Sequence, residues 1–186
     1  MRLFIAITLE ENIKDSLYEM MEVWKSNFDH GSFTEKENLH VTVNFIGETK
    51  RLEEVKKAMD RAVKETHAAQ FILSIRGLGT FKRREGDICW IGIEKDTILW
   101  KLQKELVKQL KEAGFYDVDD KEYKPHLTLG RRVKGNEEFQ PEIQETWKEP
   151  LQMRVSKISL MKSERIQGKL TYTEIYHIQL DKIQDK

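Results

Sequence analysis

Apolar side chains recur along this chain in two rhythms, and the switches between them mark the elements. The bulky run RLFIAIT has the length and composition of a buried strand over residues 2–8. Thr8 followed by Glu11 has capping-box spacing, and Ile13, Leu17, Met20, Met21 and Trp24 then fall at helical intervals. Alternation returns in LHVTVNFI, over 39–46, which Gly47 ends. Leu52, Val55, Met59 and Val63 predict a second amphipathic helix. FILSIRGLGTF and DICWIGIE flank the basic KRREGD and predict a hairpin. Asp96 is placed to cap a third helix through Leu99, Leu102, Leu106 and Leu110, with Gly114 at its stop. HLTLGRRV is a further strand, NEEFQPEIQETWKEP is irregular, and two last strands lie near LQMRVSKISLMKS and LTYTEIYHIQL.

This order repeats itself. Strand, helix, a strand with His and Thr, helix and two strands are followed by helix, a strand with His and Thr, and two more strands. The repetition predicts an α+β fold of two related lobes, each lending one strand to a central cleft, with residues 1–186 forming a single two-lobed domain. A chain of 186 residues is long enough to bury its apolar side chains without staples.

Composition narrows the partners. Lys plus Arg and Asp plus Glu are 32 each, so no global field gathers nucleic acid, and any RNA or DNA must be met by a local patch. The single Cys89 forms no internal disulfide, no Cys/His cluster suggests zinc, and Cys89 reads as a small buried strand residue. No apolar run approaches a membrane span. The expectation is a soluble, cytoplasmic protein.

The two strands with His and Thr carry the chemistry. Period-two geometry puts His40, Thr42 and Asn44 on one face of the first, against Val41, Val43 and Phe45, and puts His126 and Thr128 together on the second. His-x-Thr is expected roughly 0.3 times by chance in a chain of this composition, so two in apolar strands point to a shared site. One imidazole can take a proton while the other gives one, without a metal, and hydroxyls beside a cation can hold phosphoryl oxygens. Arg131 is the nearest cation to that site, and a bend or bulge after Gly130 would correct its odd spacing from His126. Arg132 and Lys134 lie behind it. His30, in the turn-like FDHGSF, His67 and His177 read as structural or solvent-exposed. Tyr123 and Trp90 read first as core residues, with a base-stacking wall in the cleft as the alternative.

NLHVTVNFIGE and KPHLTLGR closely resemble the two signature stretches of the two-histidine phosphoesterase superfamily, specifically its RNA 2′,3′-cyclic phosphodiesterase branch, historically the 2′-5′ RNA ligase family. MRLFIAITL, LGTFKRREGDICWIGI, EAGF and LMKSERIQGKLTYTEIYHIQL, with Ser163, Gly168 and Tyr172, extend the resemblance along the chain. It implies a bilobal fold with two antiparallel sheets facing a central cleft, helices outside and a pseudo-twofold axis. It also implies hydrolysis of an RNA-terminal 2′,3′-cyclic phosphate to a 2′-phosphate. His40 would be the proton donor, His126 the proton acceptor, and Thr42, Thr128 and Arg131 the phosphate-binding residues. The partner would be an RNA with a 2′,3′-cyclic phosphate end, met by a monomer with no metal, no cofactor and no membrane. Joining of that end to a 5′-hydroxyl, and RNA-end binding without catalysis, are the alternatives. Family members often carry lysine where this chain has Asn44, which leaves the phosphate charge to Arg131 or to the turn at Lys82, Arg83 and Arg84.

Overall fold

The apolar runs pair edge to edge into one curled antiparallel sheet. The computed structural model describes residues 1–25, 28–135 and 149–182. Among these the order is β1 (Arg2–Thr8), α1 (Glu11–Lys25), β2 (Phe28–Phe33), a 3₁₀ turn (Lys36–Asn38), β3 (His40–Glu48), α2 (Leu52–Thr66), β4 (Phe71–Phe81), β5 (Asp87–Ile93), α3 (Thr97–Glu112), β6 (His126–Gly135), β7 (Leu151–Val155), β8 (Lys157–Ile166) and β9 (Lys169–Gln179). The strands lie in the order β7-β4-β5-β6-β3-β1-β8-β9, and β2 pairs with β6.

The order is mirrored about its middle. β6, β5, β4 and β7 on one side answer β3, β1, β8 and β9 on the other, as an internal duplication requires. The two antiparallel sheets that the sequence predicts are these halves, and the only residues paired across them are Val41 and Leu127, among those described. Both side chains are wholly buried. The helices add their apolar stripes to the same core: Ile13, Leu17, Met21 and Trp24 from α1, Val55, Met59 and Val63 from α2, and Leu99, Leu102, Leu106 and Leu110 from α3. The Asp96 side chain accepts from the Leu99 amide at 2.9 Å and opens α3. At its end the amides of Gly114 and Phe115 donate back to Lys111 and Leu110, closing a Schellman motif.

Three local expectations are corrected. Thr8 does not cap α1: the helix starts at Glu11, and Thr8 stays in β1 opposite His40. FDHGSF is not a turn but β2, an exposed strand whose polar side chains gave no alternation to read. LQMRVSKISLMKS is two strands, because Ser156 lets the chain leave β4 for β1 at the other side of the sheet. In NEEFQPEIQETWKEP, all but the last two residues lie outside the described residues.

Candidate active site

Both strands with His and Thr break their alternation at the same place. In β3, Thr42 lies opposite Ala6 and Asn44 opposite Ile5, so Val43 has no counterpart. In β6, Thr128 lies opposite Trp90 and Gly130 opposite Cys89, so Leu129 has none. Each extra residue is a bulge immediately after the threonine, and it inverts the facing of everything beyond it. Asn44 is therefore not on the face of His40 and Thr42: it is 3% exposed, opposite the buried Ile5, and its Oδ1 has no hydrogen-bond partner among the described residues. Phe45 takes that face instead, 46% exposed and 6.2 Å from the Phe4 ring. In β6 the same inversion buries Gly130 and exposes Arg131. A second irregularity follows Gly130, between the pairs Cys89–Gly130 and Asp87–Val133, where Arg132 adopts a left-handed φ of 54°.

The histidines are held alike. His40 Nδ1 is 2.7 Å from the Asn38 carbonyl, and His126 Nδ1 is 2.7 Å from the Lys124 carbonyl, two residues back in each case. A carbonyl only accepts, so each Nδ1 carries hydrogen and each Nε2 is left for proton exchange. His40 Nε2 lies 3.0 Å from Thr42 Oγ1. Phe4 and Tyr172 flank the His40 ring at 4.9 and 5.2 Å, while Phe81 and Trp90 flank His126 at 5.2 and 6.2 Å. Burial holds the His40 pKa below the ordinary 6.5, the Asn38 carbonyl opposes this, and the nearby charges of Arg131 and His126 depress it further. The Tyr123 hydroxyl donates to the Thr42 carbonyl at 3.0 Å, and the buried Asn38 amide donates to Leu170 at 2.8 Å, tying the first strand to its surroundings.

The profile of the 2′-5′ RNA ligase superfamily matches residues 13–167, which include both histidines and both bulges. The chain belongs to that superfamily. A relative named RNA 2′,3′-cyclic phosphodiesterase from Methanothermobacter thermautotrophicus is 33% identical, the match covering 94% of this chain and 96% of the relative. Another of that name, from Thermotoga maritima, is 27% identical over 97% and 96% of the two chains. Among solved structures, Escherichia coli LigT complexed with 3′-AMP has the same fold, with a TM-score of 0.73, 24% identity and coverage of 96% and 97%.

In this member of the 2′-5′ RNA ligase superfamily, the pairing of Val41 with Leu127 thus sets the strand of His40 and Thr42 beside that of His126 and Thr128, with Arg131 exposed further along the latter. Trp90 lies beside His126, whereas Tyr123 is half-buried and serves to anchor Thr42. Its hydroxyl pKa is raised by burial. Phe4 and Phe81 escaped the sequence reading, although position two before Ala6, itself opposite Thr42, marks Phe4 once the pairing of β1 is known. His67 and His177 are exposed, as is His30 on β2. Burial pushes the Cys89 thiol up to about 11, which suits an inert core residue. No group of three or more His, Cys, Asp or Glu side chains among the described residues is arranged to hold a metal ion.

Proposed function

We propose that this chain hydrolyses the 2′,3′-cyclic phosphate at the end of an RNA and leaves a 2′-phosphate. Water attacks phosphorus as the bond to the 3′ oxygen breaks. His126 takes the proton from water, His40 gives one to the departing oxygen, and Thr42, Thr128 and Arg131 hold the non-bridging oxygens. The observation that carries this reading is the matched pair of imidazoles, each with Nδ1 tied to the carbonyl two residues back and Nε2 left to face the cleft, that of His40 beside the Thr42 hydroxyl, on strands that meet at Val41 and Leu127. An in-line displacement needs a proton handler on each side of phosphorus, and one strand cannot supply both. The relatives from Methanothermobacter thermautotrophicus and Thermotoga maritima, both named for this activity, match over nearly the whole chain, which supports the same reading.

His40 is an acid with a lowered pKa, so its donor form is scarce before substrate arrives. An anionic phosphodiester between His40 and Arg131 opposes both the desolvation and the repulsion, and so restores the proton as it binds. Turnover ends with His126 protonated and His40 neutral, and solvent exchange resets the pair.

The test is incubation of a short RNA ending in a 2′,3′-cyclic phosphate with the protein in EDTA, followed by location of the phosphate. A 2′-phosphate is expected, with turnover lowered about 10² to 10⁴-fold in His40→Ala and in His126→Ala. A 3′-phosphate exchanges the two roles, a longer joined RNA establishes ligation, and loss of activity restored by a divalent ion refutes the metal-free mechanism.

A further inference from the structure

The sequence offered Arg131 or the basic turn between β4 and β5 as the holder of the phosphate charge; the cation whose charge acts at His40 is Arg131, and the turn has no part in the chemistry above. Phe81, the last residue of β4, lies against His126, and Lys82, Arg83 and Arg84 follow it directly. Lys82 is paired with Asp87 at 2.9 Å, but Arg83 and Arg84 are exposed and have no carboxylate partner among the described residues. The far part of β6 adds Arg132 and Lys134, also exposed and also without an ion pair there. These two groups are one surface. Asp87 pairs with Val133, and a Cβ built on Gly86 would stand 2.8 Å from the Arg132 carbonyl carbon, so the turn rests on the backbone of β6. Arg132 holds its place in a left-handed conformation that an arginine rarely adopts. Glu85, next to Arg84, and Asp29, on the strand whose His30 pairs with Lys134, make no ion pair with any of the four among the described residues.

A chain with 32 cations and 32 anions has gathered on one rim four cations without an ion pair among the described residues, next to the imidazole that faces the reacting end. On a neutral protein such a patch is where a polyanion is met. Resting on the hydrolase reading above, we infer that Arg83, Arg84, Arg132 and Lys134 form a track for the phosphates upstream of the cyclic end, so that the preferred substrate is an RNA of several nucleotides rather than a mononucleotide. The cations are dispersed and exposed, which suits backbone contact without base readout.

The experiment compares cytidine 2′,3′-cyclic phosphate with a hexanucleotide bearing the same end, in the wild type and in the triple variant Arg83→Gln, Arg84→Gln, Lys134→Gln. Turnover of the mononucleotide should be unchanged. For the hexanucleotide, KM should rise about tenfold with kcat held, as the loss of three exposed charge pairs predicts. Its dependence on salt should flatten, the log–log slope falling by about 2. The variant Arg83→Lys, Arg84→Lys should retain wild-type KM, which separates charge from folding. Equal effects on both substrates, or none on the hexanucleotide, overturn the track. If the wild type hydrolyses neither substrate, the hydrolase reading fails instead.

Discussion

Three influences meet at the proton of His40: burial drives it off, the charges of Arg131 and His126 repel it, and the Asn38 carbonyl keeps hydrogen on Nδ1. The folded-state pKa lies below the ordinary 6.5, so the unfolded chain binds this proton more tightly. Stability from His40 is then fully present above pH 6.5 and is lost as pH falls through that value toward the folded-state pKa. The melting temperature should drop more between pH 7.5 and 5.5 in the wild type than in His40→Gln, as calorimetry across that range would measure. The same geometry makes a prediction for ligand. Inorganic phosphate should raise the His40 pKa in an NMR titration, and Arg131→Ala should raise it in the free protein. An unchanged titration in both cases would remove Arg131 from the site.

At the scale of the element, the paired bulges decide what the cleft contains. One extra residue after each threonine trades Asn44 for Phe45 and Gly130 for Arg131 on the working face, so related strands present an aromatic ring in one half and a cation in the other. The common lysine at position 44 is therefore not a missing partner in the cleft of this chain, because that side chain points into the core beside Ile5. Packing across the neighbouring hairpin is equally tight. The indole of Trp90 lies across Gly79, where a Cβ would stand 2.2 Å from it. Gly79→Ala must push the ring toward His126, and should cost about 1–3 kcal/mol in urea unfolding while lowering turnover. His40, Thr42, His126 and Thr128 were legible because alternation holds up to the threonine. Beyond it, Val43 and Leu129 are apolar residues in apolar strands, and nothing in their identity marks them as extra. β2 was illegible for the opposite reason: it is an exposed strand with no apolar side to alternate against.

In the whole molecule, the halves share a core but are joined along the sheet by little more than Val41 and Leu127. Leu127 sits between His126 and Thr128, so its packing sets how the two imidazoles face one another. Leu127→Ala and Leu106→Ala remove equally buried side chains and should each cost about 2–5 kcal/mol. Only Leu127→Ala should lower kcat when both are assayed well below their melting temperatures. The repeated order of elements made the two lobes legible, whereas the assignment of the last strands was not, because a one-residue switch at Ser156 carries no glycine or proline to announce it. That switch bears on how the molecule comes together. The half around His126 is drawn from residues 71–135 and 151–155, a nearly continuous stretch, whereas the half around His40 combines strands from residue 2 with strands reaching residue 179. Long-range pairings form slowly, since the intervening loop must be closed before its contacts repay the lost entropy. A chain synthesised only as far as β7 already holds every strand of the His126 half, while His40 waits for the last hairpin to dock on β1 before Tyr172 can close over it.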